Sequence, residues 1–126
     1  MYRDFYVVEL EKRDSEGHNI FEPTFVMKVS KLEGVGITGK SYGKGYSGTI
    51  VGRIEESALV FSLLAGLKDG TYPYFETHAE NPQRAGSYVG KYWENQLEGA
   101  FKITSLEALT DVEIDALKKR IEFPES

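Results

Sequence analysis

The chain has 126 residues, of which 40% are hydrophobic and 28% charged, with a net charge of −5. That balance belongs to a folded globular chain rather than a disordered one, and the excess of acid argues against a general nucleic-acid or anionic-membrane binder. There is no cysteine, which excludes disulfides, thiolate zinc sites and a cysteine nucleophile.

The opening residues, Met1-Tyr2-Arg3-Asp4-Phe5, carry charge at once and lack the apolar core of a signal peptide. The longest apolar stretch, residues 58–65, falls far short of the roughly 20 residues of a membrane helix. The expectation is a soluble, cytoplasmic protein.

Residues 5–12 alternate, with Tyr6, Val8 and Leu10 on one face and Phe5, Val7 and Glu9 on the other. Glu16-Gly17-His18-Asn19 reads as a turn. Residues 20–32 alternate again, setting Phe25, Met27 and Val29 opposite Thr24, Val26 and Lys28. Together the two runs predict a long hairpin. Glycines then crowd the chain at 34, 36, 39, 43, 45, 48 and 52, a density that suits bends and close backbone approaches, not a helix.

A strand is expected over residues 49–54, a turn at Glu55-Glu56-Ser57, and a second strand over 58–65, whose period also fits a helical turn. Lys68-Asp69-Gly70 is a further turn. It leads into Tyr72-Pro73-Tyr74-Phe75-Glu76-Thr77-His78, where Pro73 marks an edge position or a strand start. Residues 81–86 read as loop, and residues 87–93 and 97–104 as a hairpin turning at Glu94-Asn95-Gln96. Its inward set is Leu97, Gly99, Phe101 and Ile103. A helix over about residues 111–121 closes the chain. Thr110 and Glu113 form its capping box, and Ile114, Leu117 and Ile121 form its apolar stripe.

Gly34-Val35-Gly36-Ile37-Thr38-Gly39-Lys40-Ser41 fits the phosphate-loop pattern, which would bring Lys40 to phosphate oxygens and Ser41 to magnesium. Such a loop must open a helix. Here Gly43, Gly45 and Gly48 follow, no apolar run ending in aspartate appears, and strand and helix do not alternate along the chain. The expectation is therefore bends between barrel strands and no bound nucleotide.

Between Gly43 and Ile103, the chain carries Gly43-x-Gly45, Gly48, Gly52, an apolar strand around Phe61, Tyr88-x-Gly90-x-Tyr92 and Leu97-x-Gly99-x-Phe101-x-Ile103. This spacing resembles small bacterial lipocalin-like (calycin) barrels, many of unknown function. The resemblance covers about half the chain and implies an eight-stranded barrel. The Gly-x-Trp near the first strand of true lipocalins is lacking. The segment from Tyr88 to Gly99 is also similar to a MORN repeat unit, but one unit makes no array.

If residues 72–78 form a strand, Tyr72, Tyr74, Glu76 and His78 share one face. Turned inward, they would grip a polar ligand or move a proton. Turned outward, they would leave Phe75 to the core. Arg84, in the following loop, would suit an anion or simply solvent. Tyr42 and Tyr46 belong to a Tyr/Gly-rich loop of the kind that binds partners or folds over a barrel end. No metal-ligand spacing is present, and no cofactor is implied.

The reading is a mainly β protein: one antiparallel barrel of about eight strands with a short C-terminal helix. Its leading function is non-enzymatic binding of a small molecule, with Tyr72, Tyr74, Glu76, His78 and Tyr88 as the lining. The alternatives are a partner-binding or inhibitor module acting through the Tyr/Gly loop, and an acid–base enzyme using Glu76 and His78. A homodimer is a further expectation; nucleic acid and membrane are not.

Overall fold

Period-two alternation gives the first hairpin and the last strand one apolar face each, and eight strands close around a shared interior. The computed structural model describes residues 2–43, 48–55, 58–64, 73–77, 87–94 and 96–123. The strands are β1 (Phe5–Arg13), β2 (Asn19–Lys31), β3 (Gly36–Gly43), β4 (Gly48–Glu55), β5 (Ala58–Leu64), β6 (Tyr74–Thr77), β7 (Ser87–Glu94) and β8 (Leu97–Ser105). Each pairs antiparallel with its sequence neighbour, and β8 returns to β1, so the sheet is a closed barrel. The closing ladder runs from Tyr6 opposite Ser105 to Leu10 opposite Phe101.

The interior holds Val8, Leu10, Phe25, Met27, Val29, Ile37, Ile50, Phe75, Phe101 and Ile103, with Tyr6, Tyr88 and Tyr92 packed against them. Phe75 sits at the centre of an aromatic set. Its ring centroid lies 5.2 Å from Phe101, 5.6 Å from Tyr92 and 5.9 Å from Phe25, within the range of favourable ring contacts. Of the two faces that alternation separates in the first hairpin, the one with Val8, Leu10, Phe25, Met27 and Val29 is the inner one; the expected inward Phe101 and Ile103 are buried, whereas Leu97, at the strand's start, is exposed.

The glycine-rich segment differs from the reading of bends alone. Residues 36–43 form a full strand, paired with β2 on one side and β4 on the other. The close approaches are real: a Cβ at Gly39 would collide with the Lys28 carbonyl oxygen. Glycine density here marks a tightly curved strand in the barrel wall. At Gly99, a Cβ would come within 2.6 Å of the Tyr92 ring, which lies over it.

A second apolar layer lies outside the barrel. Phe5, Val7 and Val26, from the outward faces of β1 and β2, pack with Leu106 and Leu117. Leu106 belongs to a 3₁₀ turn, Leu106–Ala108, and Leu117 to helix α1, Asp111–Lys118. The expected capping box is present: the Thr110 hydroxyl accepts from the Glu113 N–H at 3.2 Å, and the Thr110 N–H donates to the Glu113 carboxylate at 3.0 Å. The helix ends three residues before Ile121, and its last turn tightens: the Arg120 N–H donates to the Leu117 carbonyl three residues back, which the Ile121 N–H shares. Among the described residues no helix is long and apolar enough to cross a membrane.

Candidate binding sites

β6 begins directly after Pro73, which is buried at the strand start rather than at a sheet edge. Phe75 is fully buried and Tyr74 is 37% exposed. The expected inward lining by Tyr74 and Glu76 is thus corrected. Only one parity of a strand can face the core, and the aromatic hydrocarbon takes it in preference to a phenol and a carboxylate. Tyr72 and His78 lie outside the described residues, as do Arg84 and Tyr46. Tyr88 does turn inward: it stands opposite Ile103 and packs against the core. Burial pushes the pKa of its neighbour Tyr6 up, with further contributions from Asp4, Tyr88 and Glu107.

The phosphate-loop residues separate across the wall. Lys40 points outward and is exposed, whereas Ser41 points inward, is buried, and donates to the Gly48 carbonyl at 3.3 Å. Two residues on opposite faces of a strand cannot serve one phosphate–magnesium pair.

A concavity of about 440 Å³ opens where the first hairpin leaves the barrel. β1 pairs with β8 only as far as Leu10, and β2 pairs with β3 only from Phe25 onward. Residues 11–13 and 19–22 consequently extend as a two-stranded arm, and a register shift between Val8 and Glu9, opposite Pro23 to Phe25, marks its base. Such a bulge bends and twists a strand. Leu10, Pro23, Tyr92 and Ile121 supply apolar surface there, and Glu11, Lys12, Glu22 and Arg120 supply charge, two of each sign. Glu22 accepts from the Lys12 ammonium at 2.7 Å and lies 3.9 Å from the Arg120 guanidinium. Its pKa is lowered, chiefly by the hydrogen bond and charge of Lys12 and less by Arg120. Burial raises the pKa of Tyr92, and the charges of Glu94 and Glu11 add to the shift.

Of the site's members, strand parity marked out Leu10 and helical spacing Ile121, but the charged members were not legible. Lys12 and Glu22 meet because of the hairpin's register, and Arg120 reaches Glu22 only because α1 crosses the outside of that hairpin.

A different wall, over β4 to β7, presents an aromatic pair. Val51 stands opposite Ser62, Ser62 opposite Tyr74, and Tyr74 opposite Trp93. The Tyr74 and Trp93 rings are 5.7 Å apart. In the adjacent row Arg53, Val60, Glu76 and Lys91 follow one another across four strands. Burial and the Glu76 carboxylate hold the Tyr74 phenol above its ordinary pKa, against the opposing charge of Arg53. In comparisons with known proteins, no family model, curated protein or solved structure matches the chain.

Proposed function

We propose that this is a non-enzymatic binding protein that seats a small molecule at the base of its hairpin arm. The carrying observation is the concavity of about 440 Å³ with an apolar floor and a few convergent charges, the usual composition of a small-molecule site. The ligand class that fits is a compact apolar or aromatic body bearing charges of both signs, because the lining carries two cations and two carboxylates. The body covers Leu10, Pro23 and Tyr92, and its charged groups meet Lys12 and Arg120 on one side and Glu11 and Glu22 on the other, two charges of each sign. The next-neighbour strand order is that of up-and-down barrels, a scaffold whose eight-stranded members have room for one small ligand.

Native mass spectrometry of the purified protein, beside a Thr24→Trp variant that fills the concavity, tests the reading. A small molecule retained by the wild type and lost from a folded T24W supports it. Equal retention by both, or none in a screen of aromatic amino acids and other aromatic zwitterions, removes it.

A second reading rests on the outward Tyr74–Trp93 pair: the wall over β4 to β7 docks a second copy of this chain. Arg53, Glu76 and Lys91 alternate in sign along one row of that wall, with Glu98 of β8 3.4 Å from Lys91, so a two-fold-related copy can set Arg53 against Glu76 of its partner. Sedimentation velocity over a concentration series reads this directly, and a strictly monomeric chain excludes it.

A further inference from the structure

On the outward face of β2 and β3, Lys28 and Lys40 stand directly opposite each other across the ladder. Like charges at paired positions of a sheet destabilise it. Lysines often guard exposed sheet edges, but this pair sits where β3 is hydrogen-bonded on both sides, so there is no edge to guard. Both side chains are exposed, and the Lys28 ammonium is held 5.6 Å from the centroid of the Phe5 ring, a cation–π distance that restricts its motion.

The two lysines flank a groove of about 390 Å³ whose other side chains are Ser30, Thr38, Tyr42 and Thr49. All four carry hydroxyls. The Thr38 hydroxyl donates to the Ile50 carbonyl at 3.2 Å, which leaves its oxygen lone pairs outward and the donor role to Ser30, Tyr42 and Thr49. Among the described residues no carboxylate lines the groove, although the chain as a whole carries a net charge of −5. A local positive field on an acidic protein is specific for an anion, because long-range attraction is absent and only a ligand that enters the groove meets both charges.

We propose that this groove binds a phosphate group, with Lys28 and Lys40 as its two cationic contacts and Ser30 and Thr49 as hydroxyl donors. Two lysines at paired positions beside one groove match a dianionic oxyanion in charge. A bound dianion also removes the repulsion between the lysines, so binding and fold stability are linked. The site is separate from the concavity at the arm and does not depend on it. It also gives Lys40 a phosphate partner without a phosphate loop: the second cation comes from the neighbouring strand.

Titration of the ¹⁵N-labelled protein with sodium pyrophosphate at constant ionic strength tests the proposal, alongside a parallel titration with vesicles containing phosphatidic acid. Saturable shifts centred on the amides of Ser30, Thr38, Lys40 and Thr49 are expected. Lys40→Gln weakens binding by about tenfold, the cost of one charged hydrogen bond, and the Lys28→Gln/Lys40→Gln double variant loses binding while keeping its circular dichroism spectrum. A response to pyrophosphate assigns a soluble phosphate compound, and a response to vesicles alone assigns a lipid headgroup. Failure of both, or shifts that persist in the folded double variant, overturns the assignment.

Discussion

The two outer walls of the barrel obey the same alternation and meet different fates. On the β1–β2 wall, Phe5 is 6% exposed, Val7 2% and Val26 fully buried, because the 3₁₀ turn and α1 lie over them. On the β4–β7 wall, the corresponding outward positions include Val51 at 44% and Tyr74 at 37%. The chain's one described helix covers the first wall alone. Folding therefore accounts for the apolar residues beneath α1, whereas Val51 and Tyr74 stay exposed with no described helix over them.

The sharpest way to test that division is to cut into each layer in turn. Phe101→Ala empties the interior, where Phe101 touches Phe75 and is fully buried, and is expected to cost about 3–5 kcal/mol. Leu117→Ala thins the layer beneath α1, where Leu117 keeps 8% exposure, and is expected at the low end for buried leucines, about 2 kcal/mol. Chemical denaturation reads both. Equal losses would mean that helix and barrel form one undivided core.

How much of this was legible beforehand follows from how local each determinant is. The first hairpin reads directly, because Val8, Phe25 and Met27 alternate with outward residues over long runs. The helix reads from Thr110 and Glu113, since a capping box lies within four residues. β3 did not read as a strand: its inward positions include Gly39, Ser41 and Gly43, which carry too little apolar surface to show a period. Its conformation is imposed by pairing to β2 and β4. The same applies to the sites. Phase alone could not decide whether Tyr74 or Phe75 turned inward until burial chose the hydrocarbon. The opposition of Lys28 to Lys40 and the meeting of Lys12 with Glu22 are facts of register, and register depends on partners distant in sequence.

Alkaline pH probes the interior without removing a side chain. Tyr6 is partly buried and its pKa is raised, first by burial and then by Asp4, Tyr88 and Glu107. A raised pKa means that folding favours the protonated phenol. Its contribution is therefore intact below the ordinary value of 10.0 and is lost as pH climbs through the higher folded value. Stability measured by urea denaturation is expected to fall above about pH 10, and Tyr6→Phe, which cannot ionise, is expected to flatten that decline. An unchanged slope in Y6F would assign the alkaline loss to other groups.

The smallest expected effect on stability carries the most weight for the open wall. Tyr74 stacks loosely on Trp93 and meets solvent on its other side, so Tyr74→Ala removes no buried surface comparable to that of Phe101. Its cost is expected to stay within about 0.5 kcal/mol, the range of an ordinary surface change. If a second copy docks on this wall, the same substitution is expected to shift the sedimentation profile toward monomer while leaving the thermal midpoint in place. Separation of those two readouts is the signature of a contact surface. A large stability loss in Y74A would instead make the Tyr74–Trp93 pair a structural brace, and the contrast between the covered and the open wall would then lose its functional meaning.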